Sequence, residues 1–315
     1  MLARFRDHSH EMSAAPPDTP PVLNAFTIDV EDYFHVYGFA DVIPRASWEG
    51  LTSRVEANTE RILERLAARR AFGTFFVLGW VARRHPGLVR RIAAAGHEIA
   101  SHGMDHALVY HQTPEVFRRE TRDSKALLED VLQAPVLGYR ASTYSIIPRS
   151  LWALDILAEE GFAYDSSIFP IRHDRYGIPH SPRWPYRIRC AGGRSLVEFP
   201  LSTYKVLGYH LPVSGGGYFR IFPYGLTSFA LSRVNAYHRP FIFYLHPWEI
   251  DPEQPRVEGA GRVQTWRHRF NLDRCEDRLV RLLDRFPFGT VRDVLARHEP
   301  DVSLDLAELK TAPRP

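Results

Sequence analysis

Two hydrophobic rhythms alternate along this chain. Short, nearly continuous apolar runs are separated by stretches in which apolar residues recur every three or four positions. The first run, Ala25-Phe26-Thr27-Ile28-Asp29-Val30, reads as a buried strand. A helix is predicted over residues 55–69, with Val55, Ile62, Leu63 and Leu66 on one face. Residues 74–78 form the next strand. Pro86 then opens a helix that carries Leu88, Val89 and Ile92 and is ended by Gly96. A third strand is read at 97–100, and further strands at 136–139, 162–164, 196–201 and 241–245. Helices are expected at 151–160, closed by Gly161, and at 272–286. About seven strands alternating with helices predict an α/β fold whose parallel sheet is closed, or nearly closed, into a barrel.

The same pattern divides the chain. Residues 1–23 are polar, Pro-rich and aperiodic, and read as a disordered leader. Residues 24–298 read as a single domain, and 299–315 as a tail. Within the domain, residues 171–240 are richer in Pro, Gly and aromatics and read as loops and short elements decorating the barrel. The 40 basic and 37 acidic residues nearly cancel, and the arginines are spread along helices, so no nucleic-acid partner is expected. No apolar run approaches the ~20 residues that span a bilayer, and none resembles a signal peptide. The expected setting is cytoplasmic, at most at the inner membrane surface, with peripheral membrane association left open. Cys190 and Cys275 are too few for a disulfide framework and read as separate thiols in a reducing compartment.

Unusual polar residues gather at four strand ends, where barrel enzymes build their sites. The first is Asp29-Val30-Glu31-Asp32, in which Asp29 and Glu31 point to one side of an extended strand. Crowded carboxylates repel unless a cation holds them or one is protonated. The second is Ser101-His102-Gly103-Met104-Asp105-His106; if this segment turns helically, both imidazoles fall on one face and can hold a metal. Asp105 either orients a ligand or is solvated. The third, Gly138-Tyr139-Arg140-Ala141-Ser142-Thr143-Tyr144, places an Arg where it can neutralise carboxylates. The fourth, Phe243-Tyr244-Leu245-His246-Pro247-Trp248-Glu249, closes an apolar strand with a His. Gly215-Gly216-Gly217 lacks the ending of a phosphate loop and reads as a tight turn or a close backbone approach.

In this order and placement the four segments resemble the motifs of the NodB-like polysaccharide deacetylases, carbohydrate esterase family four. The resemblance covers Asn24 to about Glu249. It is closest to the exosortase- and exopolysaccharide-cluster-associated branch. That branch shares stretches like Tyr164-Asp165-Ser166-Ser167-Ile168-Phe169-Pro170, Leu211-Pro212-Val213-Ser214-Gly215-Gly216-Gly217 and His246-Pro247-Trp248-Glu249-Ile250, extending the likeness to about Phe288. The resemblance implies a distorted (β/α) barrel of about seven parallel strands, with a family-specific C-terminal part over about 170–298. It also implies metal-dependent removal of N-acetyl groups, by metal-bound water, from an amino-sugar polysaccharide or its lipid-linked precursor. Asp29 would be the general base, oriented by Arg140, and His246 the general acid. His102, His106 and either Glu31 or Asp32 would hold a divalent metal, zinc foremost, with cobalt or nickel as alternatives. Asp165 would pair with His246. Tyr144 and Trp248 lie beside the motifs, placed either to stack on sugar rings or to pack in the core. The partner implied is an N-acetylated glycan or lipid-linked oligosaccharide. One departure stands out: the family's Pro two residues after the Arg is here Ser142. Two other readings share the pattern, a same-fold hydrolase of a small amide such as allantoin or a cyclic imide, and a catalytically idle glycan-binding scaffold.

Overall fold

The apolar runs become strands, and their register makes most of them parallel. The structure, a computed structural model, describes residues 21–311. In chain order its strands are β1 (Asn24–Val30), β2 (Thr74–Val77), β3 (Glu98–Ser101), β4 (Gly138–Tyr139), β5 (Tyr164–Asp165), β6 (Tyr186–Arg189), β7 (Ser195–Glu198), β8 (Thr203–Val206), β9 (Tyr209–Pro212), β10 (Ile242–Leu245), β11 (Phe288–Gly289) and β12 (Ser303–Asp305). Seven lie side by side in the order β10-β1-β2-β3-β4-β5-β7, every neighbouring pair parallel. Both faces of β1 and β2 are covered, which is why they read as unbroken apolar runs. Beyond β7 the sheet continues through antiparallel β6 to β12, while short β11 lies against β1.

Irregular backbone bridges the remaining gap between β5 and β10. The Phe199 and Leu201 amides donate to Asp165 and Ile168, and the Tyr244 amide donates to the Ser214 carbonyl at 2.7 Å. Gly215 bridges Tyr244 directly. At φ 127°, a Cβ on Gly215 would sit 1.9 Å from the Tyr244 carbonyl oxygen, so only glycine fits this approach. The sheet thus curls into a distorted barrel in the expected α/β class.

Most expected helices appear within a residue or two, as Val55–Ala67, Pro86–Ala94, Trp152–Glu159 and Leu272–Arg285. Seven α-helices among the described residues appear where none was read. Helix Pro114–Leu132 covers β3, and helix Tyr224–Ala236 lies inside the segment read as loops. The expected tail contributes β12 and helix Leu306–Lys310, whose Leu304 and Leu309 are buried. The expected leader lies outside the described residues except for 21–23, which precede β1 without regular structure. No helix among the described residues is long and apolar enough to cross a membrane. Cys190 and Cys275 are buried free thiols.

Candidate active site

Four strand ends converge on one buried cluster. From β1, Asp29 Oδ1 accepts from Arg140 Nη1 at 2.7 Å. Arg140, just past β4, is fully buried; its remaining donors go to Thr27 Oγ1 and to the Ser166 carbonyl and hydroxyl. Its guanidinium lies 4.1 Å from the centre of the Phe76 ring. A buried guanidinium is tolerable only with a carboxylate and full hydrogen bonding, and here it has both.

Two residues on, Glu31 lies between two imidazoles. His106 Nε2 is 2.9 Å from Oε2, and His246 Nε2 is 3.0 Å from Oε1. Burial alone would raise the Glu31 carboxyl, but His106 and His246 outweigh it and hold it well below the usual carboxylate range. His102 Nδ1 faces the Arg140 carbonyl at 2.8 Å, so Nδ1 carries the proton and Nε2 keeps a free lone pair. Burial, opposed by Asp29 and Glu31, pushes this imidazole down to about 4, so it is neutral at pH 7. The His102–His106 segment is not helical, as its spacing had allowed. Gly103 and His106 take left-handed φ of 76° and 55°, and this loop brings the two rings to 5.6 Å.

Glu31, His102 and His106 each offer one ligand atom, all within 4.8 Å of one another, and no other such group occurs among the described residues. Glu31 Oε2 is buried without a hydrogen-bond partner, because the close His106 nitrogen is poorly aligned for one. An orphaned carboxylate oxygen facing two imidazoles fits a cation. Two His and one carboxylate form the donor set of open zinc-type sites.

On the opposite side, His246 Nδ1 meets Glu249 Oε1 at 2.7 Å, and Glu249 Oε2 accepts from Arg220 Nε at 2.6 Å. Arg220 also donates to the carbonyls of Arg267, His268 and Phe270. Burial opposes a charged His246, but Glu31 and Glu249 overcome it and lift the imidazole to about 10. His246 Nε2 also faces Asp29 Oδ2 at 3.9 Å.

Several expected residues lie elsewhere. Asp32 is outside the cluster: its oxygens accept from the Tyr33, Arg54 and Val55 amides and from Ser53 Oγ, tying β1 to the start of helix Val55–Ala67. Asp105 pairs with Arg45. Asp165 does not reach His246; it bonds Ser167 Oγ and faces Glu198 across β5 and β7. Glu249 takes that place, and neither it nor Arg220 was singled out in the sequence. The signal for Glu249 was present, three residues after His246. Trp248 is 6% exposed, stacked between the rings of His246 and His268, and Tyr144 is 7% exposed among Phe169, Tyr176 and Tyr244. Both pack in the core, the second of the two alternatives. Ser142 is accommodated by hydroxyl bonds: its carbonyl accepts from Ser145 Oγ, which in turn accepts from the Val109 amide.

Comparison with known proteins gives this arrangement a context. Residues 46–159 match the family model described as polysaccharide deacetylase, and residues 166–296 match Domain of unknown function (DUF3473). A chitooligosaccharide deacetylase from Rhizobium leguminosarum bv. trifolii is 33% identical over 109 residues, 31% of this chain and 51% of that protein. A peptidoglycan-N-acetylglucosamine deacetylase from Bacillus cereus is 32% identical over 79 residues, 25% of this chain and 37% of that protein. The likeness to polysaccharide deacetylases covers part of this chain. The chain spans about half, or less, of the length of these curated relatives. Among solved structures, a candidate polysaccharide deacetylase from Mycobacterium smegmatis shares the fold at TM-score 0.56 and 23% identity, over 97% of this chain and 99% of that one. An allantoinase shares it at TM-score 0.53 and 15% identity, over 93% and 99%. The deacetylase match contains His102, His106 and Arg140. Arg220, His246 and Glu249 lie in the second region, and Asp29 and Glu31 precede both.

Proposed function

We propose that this chain removes N-acetyl groups from an amino-sugar-containing polysaccharide or its lipid-linked precursor, by metal-dependent hydrolysis with zinc as the leading ion. The observation that carries this reading is the Glu31–His102–His106 cluster, with Asp29–Arg140 on one side and His246–Glu249–Arg220 on the other. The relatives act on chitooligosaccharide or on peptidoglycan N-acetylglucosamine, which makes an N-acetylated glucosamine unit the first substrate class to test. Two buried free thiols suit a reducing, cytoplasmic setting, and an exopolysaccharide pathway suits the likeness of the strand-end motifs.

Amide hydrolysis requires an activated water, a stabilised oxyanion and a proton for the departing amine. A divalent cation held by Glu31, His102 and His106 would polarise the acetyl carbonyl and acidify water. Asp29, fixed by Arg140 as a carboxylate, takes the proton from the attacking water at Oδ2, the oxygen that Arg140 leaves open. His246 holds a proton on Nε2, directed into the site by the Nδ1–Glu249 bond, and delivers it to the amine nitrogen. In the turn at Thr143 and Tyr144, with φ of 54° and 53°, the Tyr144 amide donates to the Ala141 carbonyl, so the Thr143 amide is the donor at the end of β4 for the oxyanion.

The test is acetate release from N-acetylglucosamine oligomers by protein stripped of metal and reloaded with zinc, cobalt or nickel, with bound metal measured in parallel. Metal-dependent release is expected, lost with the metal in His102→Ala and lost without loss of metal in Asp29→Asn. Stoichiometric metal binding with no acetate released would refute the substrate class.

A further inference from the structure

Two carboxyl groups outside the catalytic cluster are fully buried. Asp165 at the end of β5 and Glu198 at the end of β7 are both 0% exposed, and they stand opposite each other in the parallel ladder. Residues paired in this way point to the same face of a sheet. Their side chains lie within hydrogen-bonding reach of each other. Asp165 Oδ1 accepts from Ser167 Oγ at 2.6 Å, and Glu198 Oε1 accepts from the Ile168 amide at 2.9 Å. Asp165 Oδ2 and Glu198 Oε2 have no donor among the described residues.

Two carboxylates held together out of water are doubly penalised, because burial opposes each charge and the charges repel. One hydrogen between the two free oxygens removes the repulsion and satisfies both atoms. The surroundings offer no substitute. Tyr139 of β4 lies opposite Asp165, with its hydroxyl at Thr121, and Tyr186 of β6 lies opposite Glu198, with its hydroxyl unbonded. Arg140 acts on Glu198 only through space, because its own donors go to Asp29, Thr27 and Ser166. On helix Trp152–Glu159, which packs over β7, Asp155 accepts from the Ala191 amide and Glu159 pairs with Arg118. Burial raises both carboxyls, and the charge of Asp165 raises Glu198 further, so Glu198 carries the hydrogen.

The pair is fastened to the catalytic arm on the other side of the sheet. Ser167 Oγ, which donates to Asp165, accepts from the Ala141 amide at 2.8 Å. Ser166, between Asp165 and Ser167, turns the other way: its carbonyl and hydroxyl accept from Arg140 Nε and Nη2. Moving Asp165 therefore moves the anchor of Arg140, and Arg140 holds Asp29.

We propose that Asp165 and Glu198 share one proton, and that this linked pair positions Arg140, and through it Asp29, from the opposite face of the sheet. Both are positioning residues, since neither touches the reacting atoms. The shared proton stands apart from the deacetylase reading, whereas its effect on turnover rests on that reading.

The experiment compares the full chain with Glu198→Gln, which keeps the acceptor for Ile168 and supplies an N–H to Asp165 in place of the shared hydrogen. In infrared spectra recorded in D2O near neutral pH, the parent-minus-variant difference is expected to contain the C=O band of a protonated carboxyl group. Folding stability against pH is the second readout. The folded pair holds a proton that the unfolded chain releases near pH 4, so its stabilisation is lost as pH rises toward the folded value. Just above neutral pH, the folding equilibrium constant of the parent should fall about tenfold more per pH unit than that of Glu198→Gln. The third readout is acetate release by Ser167→Ala, which cuts the link from the pair to Ala141. Its kcat should fall about tenfold with KM and metal content held. An absent band, or parallel pH profiles, would show two carboxylates and overturn the shared proton. A folded Ser167→Ala protein with the parental kcat would overturn the positioning role. If the parent releases no acetate, the deacetylase reading and the positioning role fall together, while the first two readouts still decide the shared proton.

Discussion

Glu31 and Asp32 are adjacent in sequence, yet their carboxylates do different work, and substitution separates them. Asp32→Asn places an amide against the Arg54 and Val55 amides that now donate to Oδ2. A loss of about 1–3 kcal/mol in urea unfolding is expected, with metal content unchanged. Glu31→Gln is expected to remove the metal. A metal-free Asp32→Asn protein would reverse the assignment. Glu249 makes a second prediction at this scale. Glu249→Gln leaves His246 Nδ1 without its carboxylate, and kcat is expected to fall about 10–100-fold with KM and metal content held. Glu249→Ala also strands the buried Arg220, at about 3–5 kcal/mol. The sequence marked Asp29, His102, His106, Arg140 and His246 as candidates because each sits at or just beyond the end of an apolar run, and the fold brings them together. It did not disclose Arg220, which is 29 residues from its carboxylate, since only the packed chain shows that contact.

Elements were legible where one face is uniformly apolar. Helix Leu272–Arg285 buries Leu272, Cys275, Leu279, Leu282 and Leu283 and was read to within a residue. Helix Pro114–Leu132 escaped because its buried stripe is Phe117, Thr121, Ser124 and Leu128, half of it polar. Ser124 earns its inward place through a 2.9 Å hydroxyl bond to Ser101 on β3. Leu128→Ala should cost about 2–5 kcal/mol in chemical denaturation, as for a core leucine; a cost below about 0.5 kcal/mol, typical of surface positions, would mean the helix is not seated there. Helix Tyr224–Ala236 escaped for the opposite reason: its apolar residues run all round, some buried and some exposed. Gly215 was legible as a close approach, though its partner was not. Gly215→Ala must push Tyr244 away, two residues before His246. We expect at least about 1–3 kcal/mol of destabilisation together with reduced turnover; a stable, fully active variant would show that the bridge to β10 is dispensable.

For the whole molecule, acid stability depends on imidazoles buried without charge. Burial pushes His97 down to about 4 and, reinforced by Arg220, pushes His268 down to about 3. The unfolded chain binds protons at these groups near pH 6.5 while the folded chain does not, so their contribution is complete above pH 6.5 and declines as pH falls toward 4 and below. The melting temperature should fall across that window, and His97→Gln should flatten the fall; identical profiles would rule out His97 as a contributor. The barrel class was legible from alternation alone. Closure was expected, but its route was not legible, because residues 199–202 and 213–215, on either side of the β8–β9 hairpin, are irregular backbone held by individual hydrogen bonds. Arg140 ties this architecture together, bonding to β1 and to Ser166 beyond β5 while stacking over Phe76 of β2. That position restricts the order in which the site can change over generations. Losing Asp29 first leaves a stranded charge at the centre of the barrel, and losing Arg140 first leaves a stranded carboxylate. A lineage can abandon this chemistry only by changing both almost together, or after accumulating stability elsewhere to survive the step between.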